Sequence, residues 1–508
     1  MKIYKAFEES RNGTTIPVFL SGRTMESRYN PERDAENLLG SITNEGTYNF
    51  YVVLGIGSGL FIKLLSEKNP QAVILALELY DEDIDFLLQN DNVKTLSKKD
   101  NIIFTSLSNL ETNLTQNYLP AKYGNLKIIE QRAWVNENAE HIESINSILK
   151  KTLGIISADY SVQAHFGKIW NSNILNNALL AEKYCRQNNL SFTKDIINKT
   201  AVIIAAGPSL DKSISIFKKQ DSQEKYFIIS TDTASQTLIQ NQIIPQVIIS
   251  IDGQSVSYNH FIKKTEGCKE SLYLFDLCAN SSAAKSLLQK GYKVDFFCSG
   301  HPLSTAINSV NHNYFPTLFS GAGTVTITAL DLAIQSGFKN IIILGADFSY
   351  INGKAYAAGT YLDTLYNQKA SKLKQTEEVF SKLMYRTELK SISENIKTTQ
   401  ILEAYKTSME KYLESNNISF SKENDIYKLS CIGIPKNQGL FYYSADNSKT
   451  HNFSIKSFFS KLNNANSQES EIILLPYIAW LRNNSKYKNL SYSELQKLAL
   501  GSIVRYNI

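Results

Sequence analysis

AVIIAAGPSLD (201–211), FIISTDT (227–233), QVIISIDGQ (246–254) and NIIILGADFSY (340–350) repeat one design, an apolar run that stops at a small or polar residue. Short apolar runs bounded by turn formers read as buried strands of a parallel sheet. In an open parallel sheet, ligands bind outside the carboxyl ends of the strands. Several polar strand ends within one unit therefore read as one site. The first has the makeup of a phosphate cradle, which points to a nucleotide. Gly207 frees the backbone and Pro208 needs no donor. Ser209 either caps the helix expected over Lys212–Lys219 or turns its hydroxyl and neighbouring N–H groups to an anion.

Asp232 and Asp252 occupy equivalent strand ends, each followed within two residues by a hydrogen-bonding side chain, Thr233 and Gln254. Either carboxylate can accept from sugar hydroxyls or a base amine; singly, each also reads as an N-cap or Asx-turn. Three such ends within 50 residues favour a site. In FSGAGTVTITALDLAIQSGFKNIIILGADFSY (319–350), Gly321, Gly323 and Thr324 place donors at a second helix start, and Gly337 is a natural helix stop. Ala329, Leu332, Ala333 and Ser336 read as core packing. Asp347, Tyr350 and Tyr356 surround the turn dipeptide Asn352-Gly353. Two phenols held by that turn can donate to a phosphate and stabilise a departing anion, or they merely cover the sheet edge.

Nearer the N-terminus, YNFYVVLG (48–55) runs into Gly55-Ile56-Gly57-Ser58-Gly59, followed by LFIKLLSEK (60–68) and AVILALE (72–78). This βαβ unit ends in Glu78, and the pattern is that of a nucleotide-binding turn whose carboxylate takes ribose hydroxyls. It also resembles the first motif of S-adenosylmethionine-dependent methyltransferases, except that Val53 stands where those enzymes usually carry an acid. The plain alternative is a tight strand–helix turn that needs glycine only for its backbone.

Composition sets the frame. The chain has 508 residues, 43% hydrophobic and 20% charged, with a net charge of +5, an ordinary globular balance with basic residues scattered among acids. It gives no footprint for nucleic acid. Five widely spaced cysteines suggest neither a disulfide framework nor a metal site. MKIYKAFEESRNG lacks the apolar core of a secretory signal, and no apolar run approaches the roughly 18 residues of a membrane span. The chain reads as cytoplasmic. The expected organisation is an α/β Rossmann-like domain over 1–150, a helical connector over 151–197, a Rossmann-like parallel-sheet core over 198–365 and a mostly helical region over 366–508. Leu402, Tyr405, Met409 and Tyr412 mark one amphipathic helix there, and Ser491 with Glu494 marks a capping box.

AAGPSLD, STDTASQTLIQNQIIPQVIISIDGQ and GAGTVTITALDLAIQSGFKNIIILGADFSY resemble the motility-associated factor family of flagellin glycosyltransferases, over about Ala201 to Gly359. The resemblance implies a core similar to the GT-A-like bacterial sialyltransferases and to the MptE-like domain. It implies transfer of a nonulosonic acid, pseudaminic or legionaminic, from a CMP-activated donor to Ser and Thr of flagellin, with no obligatory metal. By the resemblance, Gly207-Pro208-Ser209-Leu210 borders the CMP site and Tyr350 and Tyr356 contact its phosphate, with Ser349 as a one-residue insertion. Asp232 and Asp252 fall where the nucleotide is held. The histidine base of the sialyltransferases has no counterpart here, since none lies between His312 and His451. Asp252, Asp347, His451 and His301 are the candidates. The same core also suits a pterin pyrophosphokinase, in which Asp232, Asp252 and Asp347 would hold Mg²⁺ and ATP is the donor. A non-catalytic flagellin-binding protein is a third reading.

Overall fold

The computed structural model describes residues 2–43, 48–185, 194–217, 225–262, 268–321, 323–363, 387–423, 425–431, 453–464 and 467–507. Two compact units emerge, Met1–Gly167 with Leu475–Lys497, and Lys168–Leu474 with Leu498–Ile508. Both are α/β. Among the described residues, no helix is long and apolar enough to cross a membrane.

The first unit carries a hairpin, β1 (Tyr4–Glu9) and β2 (Thr15–Phe19), and a four-stranded sheet. That sheet contains β3 (Phe50–Leu54), β4 (Val73–Glu78), β5 (Ile102–Ser106) and β6 (Lys127–Glu130). Its order is β5-β4-β3-β6, and every pairing is parallel. All five residues of β3 are buried, which explains why the sequence there is apolar without alternation.

The second unit is built on an eight-stranded sheet. Its strands are β7 (Thr200–Ile204), β8 (Tyr226–Thr231), β9 (Val247–Ser250), β10 (Leu272–Asp276), β11 (Lys293–Phe297) and β12 (Asn340–Leu344). After β12 come β13 (Tyr350–Ile351), β14 (Leu389–Ser393) and β15 (Ile396–Thr399), then β16 (Ser419–Glu423) and β17 (Ile426–Ser430). The sheet order is β11-β10-β9-β8-β7-β12-β17-β16, while β13, β15 and β14 form a separate small sheet. From β11 to β12 the strands are parallel; β17 and β16 join antiparallel. Side chains alternate between the two faces of β7. Ala201, Ile203 and Ala205 face a core shared with Ile327, Leu330 and Leu332 of the helix Val325–Gln335. Val202 and Ile204 face Ala234 and Leu238 of the helix Asp232–Gln240.

Three expectations change. The connector is part of one 46-residue helix, Ala139–Tyr184, and the division between the units falls inside it. The region after 365 also holds strands: its described part contributes four, β14 to β17, beside the helices Gln400–Ser415, Ile455–Asn464, Ser467–Asn483 and Tyr492–Val504. In IYKLS, Tyr427 and Leu429 are buried while Lys428 is exposed, a period of two that marks a half-buried strand. Of the helix expected over Lys212–Lys219, the described residues form one turn, Leu210–Ser213, continued by a 3-10 turn, Ile214–Phe217, and Lys218 and Lys219 lie outside the described residues. The helix Gln400–Ser415 buries Met409 and Leu413 as its spacing suggests. The Ser491–Glu494 box forms, with Glu494 Oε2 accepting from Ser491 N at 2.8 Å.

Candidate functional site

Strands β7 to β11 run outward in one direction, and the chain then returns to add β12 on the other side of β7. That reversal makes a topological switch point between β7 and β12, where doubly wound sheets open a crevice at their carboxyl ends. The crevice is lined by Ala206-Gly207-Pro208-Ser209 after β7 and Gly345-Ala346-Asp347 after β12. The two turns are tied together, for Gly207 N donates to Gly345 O at 2.8 Å. A Cβ on Gly207 would lie 2.5 Å from both Gly345 O and Asp347 Oδ2, so this approach needs glycine.

Asp347 reaches across the crevice to Ser209. Its Oδ2 accepts from Ser209 N at 2.8 Å, and its Oδ1 accepts from the Ser209 hydroxyl. Burial pushes the Asp347 carboxyl up, and the Ser209 bonds oppose that shift. Both residues were expected to face a ligand. In this conformation they satisfy each other, and Asp347 acts as a clasp on the turn rather than as a free base. The turn's anion-binding N–H groups are correspondingly fewer, and a one-turn helix supplies little dipole. Replacing Asp347 with asparagine turns an amide toward the Ser209 N–H. It is expected to cost about 1–3 kcal/mol, read as a lower denaturant midpoint with an unchanged slope.

Asp232 is buried at the start of its helix. Its Oδ1 accepts from Thr233 N at 2.7 Å and Thr233 Oγ1 at 3.1 Å, and its Oδ2 accepts from Ser250 Oγ at 2.6 Å. Thr233 is thereby turned to its neighbour, and the carboxylate bridges the ends of β8 and β9. Asp252 differs. It is half-buried, its Oδ1 accepts from Gln254 N at 2.9 Å in an Asx-turn, and among the described residues no hydrogen bond is found at its other oxygen. Burial raises its pKa, the Gln254 N–H lowers it, Asp232 raises it and His260 lowers it. Of the three expected carboxylates, Asp252 is the one that keeps an oxygen for chemistry. Gln254 is exposed, so its side chain is open to a ligand at this end.

Thr324 N-caps Val325–Gln335, accepting from Thr326 N. That helix returns to a parallel strand, so it begins on the carboxyl-end side of the sheet, as expected. Gly321 and Gly323 are exposed beside it; Gly323 has φ +67° and lies beneath the Tyr405 ring. The loop is held by Asp331, which accepts from Phe319 N, Gln335 Nε2 and Tyr412 Oη. Asn352 and Gly353 both adopt positive φ, 50° and 72°, the signature of a type I′ turn. Tyr350 lies on β13, paired to Lys397 of β15. Tyr356 packs against the core of Val202, Ile204 and Leu210. The next residue ties it to the crevice, since Ala357 N donates to Ala206 O at 2.8 Å. The chain then runs along the outer helices, with Ala358 N donating to Asp211 and Thr237 Oγ1 to Ala358 O.

Three residues at the crevice escaped the sequence reading. Lys422 on β16 and Asp425 beyond it both act electrostatically on Asp347, and they pair with each other at 3.7 Å. His260, in the turn Asn259–Ile262, acts on Asp252. None belongs to a motif; only the antiparallel addition of β16 and β17 could have brought Lys422 to mind. His301, a named base candidate, is instead a helix cap. Its Nδ1 accepts from Leu303 N at 3.2 Å, its ring packs edge-on to Trp170, and burial lowers its pKa to about 4. His451 lies outside the described residues.

The N-terminal glycine loop also stands at a switch point, between β3 and β6. Gly55, Gly57 and Gly59 have φ of +94°, +60° and +80°, as the motif requires. The loop is occupied by the protein itself. Glu78 Oε1 accepts from Ile56 N at 2.7 Å and its Oε2 from Trp134 Nε1 at 2.7 Å. Glu26 Oε1 accepts from Ser58 N at 2.7 Å. Trp134 and Met25 fill the space above Gly55, where a Cβ would meet them at 2.7 and 2.8 Å. Glu78 therefore holds the loop rather than a ribose, and the tight-turn reading is the one that fits.

Fold and site together define a doubly wound α/β protein with a candidate site at the switch point of the second sheet. Residues 172–353 match the family model described as 6-hydroxymethylpterin diphosphokinase MptE-like. Two uncharacterised proteins of Treponema pallidum (strain Nichols) are similar. One is 39% identical over 114 residues, 22% of this chain and 40% of the relative. The other is 32% identical over 150 residues, 29% of this chain and 69% of the relative. The chain thus spans less than half of the first relative and about two thirds of the second. An MptE-like domain is therefore present over residues 172–353, consistent with the resemblance to the motility-associated factor family. The structure of the Maf glycosyltransferase from Magnetospirillum magneticum AMB-1 aligns over 99% of this chain and 90% of its own, at 12% identity and a TM-score of 0.45.

Proposed function

We propose that the chain is a glycosyltransferase that moves a nonulosonic acid, pseudaminic or legionaminic, from its CMP-activated form to Ser or Thr hydroxyls of flagellin, in support of flagellum assembly and motility. The carrying observation is the meeting of the Gly207 turn, the Asp347 turn and the Ala357 backbone at one switch-point crevice. The acceptor oxygen attacks the anomeric carbon, the bond from that carbon to the phosphate oxygen breaks, and its electron pair leaves with CMP. Charge builds on the sugar as in an oxocarbenium ion. Tyr350 and Tyr356 donate to the departing phosphate, and Lys422 adds positive charge at the same end. One phosphate of this kind can be balanced by such donors.

The family's description favours a second reading, ATP-dependent diphosphate transfer to a pterin, with Mg²⁺ held by carboxylates. The carboxylates fit that role poorly. Each oxygen of Asp232 and Asp347 already accepts a hydrogen bond from the protein, which leaves Asp252 alone with an unengaged one.

A thermal-shift and calorimetry screen separates the readings, since a ligand that binds the native state raises its stability. CMP is expected to bind without added metal and ATP–Mg²⁺ weakly or not at all. The reverse order supports the pyrophosphokinase. Mass spectrometry of flagellin incubated with the protein and a CMP-nonulosonate is expected to show added sugar. Unmodified flagellin together with no CMP binding overturns the proposal.

A further inference from the structure

The chain from Tyr356 to Asp363 leaves the switch-point crevice as a strap tied down by side chains rather than by a strand ladder. Tyr356 packs against the cluster of Val202, Ile204 and Leu210, the last of which follows Ser209 in the crevice turn. Ala357 N donates to Ala206 O at 2.8 Å, one residue before Gly207. Both polar groups of the Ala358 backbone are then gripped from different elements. Its N–H donates to Asp211 Oδ1 at 2.9 Å, and its carbonyl accepts from Thr237 Oγ1 at 2.9 Å. Gln240 Nε2 holds the next carbonyl, Gly359 O, at 3.1 Å.

Beyond these ties the strap closes on itself. Gly359 N donates to Asp363 Oδ2 at 3.0 Å, and Thr360 Oγ1 accepts from Asp363 N at 3.1 Å while contacting Ala357 O at 3.2 Å. Gly359 has φ +83°, as this reversal requires. Thr237 is 2% exposed, so its hydroxyl is committed to the strap carbonyl. Asp211 follows the Gly207 turn and Thr237 lies in the helix that starts at Asp232, so the strap is fastened to the elements after β7 and β8.

We infer that Thr237 and Asp211 are positioning residues for the phosphate end of the site, holding Ala358 from both sides so that the Tyr356 phenol stands at the Gly207 turn. The inference rests on the transferase reading, in which that phenol donates to the phosphate of CMP. A donor set in place before the charge develops needs no rearrangement when CMP departs. Small misplacements of such a group are costly even when the change lies away from the reacting atoms. Free CMP carries the same charged phosphate, so its affinity reads the placement of the phenol.

The test is a double-mutant cycle followed by calorimetry with CMP. Thr237→Val keeps the shape of the side chain and removes the donor to Ala358 O. It is expected to weaken CMP about fivefold, and Thr237→Ser, which keeps the hydroxyl, is expected to bind within about twofold of the parent. Tyr356→Phe alone is expected to weaken CMP about tenfold. Adding Thr237→Val to Tyr356→Phe is expected to cost no further affinity, because the positioned group is already gone. A hydroxyl that only steadies the fold weakens CMP by the same factor with and without the phenol, and that result overturns the inference. Unchanged CMP affinity in a folded Thr237→Val protein overturns it as well. If that protein does not fold, Asp211→Ala, at an exposed position, carries the same pair of measurements. A parent protein that binds no CMP removes the transferase reading and this inference together. A parent that binds CMP without coupling between Thr237 and Tyr356 sinks the inference alone.

Discussion

Gly345→Ala is expected to cost about 3–5 kcal/mol and to abolish ligand binding at the crevice. Gly345 has φ +70°, and a Cβ there would lie 2.3 Å from Ala205 O and 3.3 Å from Leu210 Cβ. The left-handed backbone alone costs a non-glycine residue roughly 1–2 kcal/mol. The clash is with backbone of the neighbouring strand, which cannot turn aside as a side chain can, and overpacking adds about 1–3 kcal/mol. Relieving it must part the ends of β7 and β12, and so separate the Gly207 turn from the Asp347 clasp. Gly323→Ala is the control. It has a similar φ, +67°, but its Cβ would meet only Tyr405 at 3.7 Å, so about 1 kcal/mol is expected. Chemical denaturation of both variants measures the difference. Equal costs would mean that the strand ends are not in the contact described.

The stability of the first unit is expected to fall as pH rises from about 5 to about 8. Burial raises the Glu26 carboxyl to about 7 and Glu78 to about 8, from ordinary values of 4.5. A carboxyl whose folded pKa lies above its unfolded one binds more protons in the native state. Its contribution is therefore whole below pH 4.5 and is lost as pH climbs through the folded value. For Glu26 the loss is on the order of 3 kcal/mol. Glu26→Gln removes that slope. The amide oxygen can still accept from Ser58 N, and its NH₂ takes the place of Oε2, which is enclosed with no partner. The variant is expected to match the parent at pH 5 and exceed it at pH 8. Melting followed by tryptophan fluorescence at both pH values checks this, and a parent protein more stable at pH 8 than at pH 5 contradicts it.

Strand ends were the legible part of this molecule, because a buried parallel strand must be apolar throughout and must stop where a turn begins. AVIIAA, QVIISI and NIIILG could be ordered along the chain on that basis alone. Asn352-Gly353 was equally plain, since both positions need positive φ. What those ends face could not be read. Asp347 and Ser209 are 138 positions apart, and a motif that offers donors to a phosphate offers them equally to an aspartate. The same ambiguity ran the other way at Gly55–Gly59. Glu26 comes from 32 positions upstream of Ser58, in a segment with no pattern to flag it. Lys422 and His260 depend on packing between elements, and periodicity carries no trace of that.

The placement of β17 beside β12 decides where this chain can be cut. A fragment ending at residue 365 would hold every family motif quoted above, yet it would lose the partner that Ile341 and Ile343 meet at Leu429 and Tyr427. The main-chain donors and acceptors along that side of β12 would then stand bare next to isoleucine. Such a border is a template for other chains. The fragment is destined for inclusion bodies, and dissecting the MptE-like part requires carrying the strands Ser419–Glu423 and Ile426–Ser430 along with it.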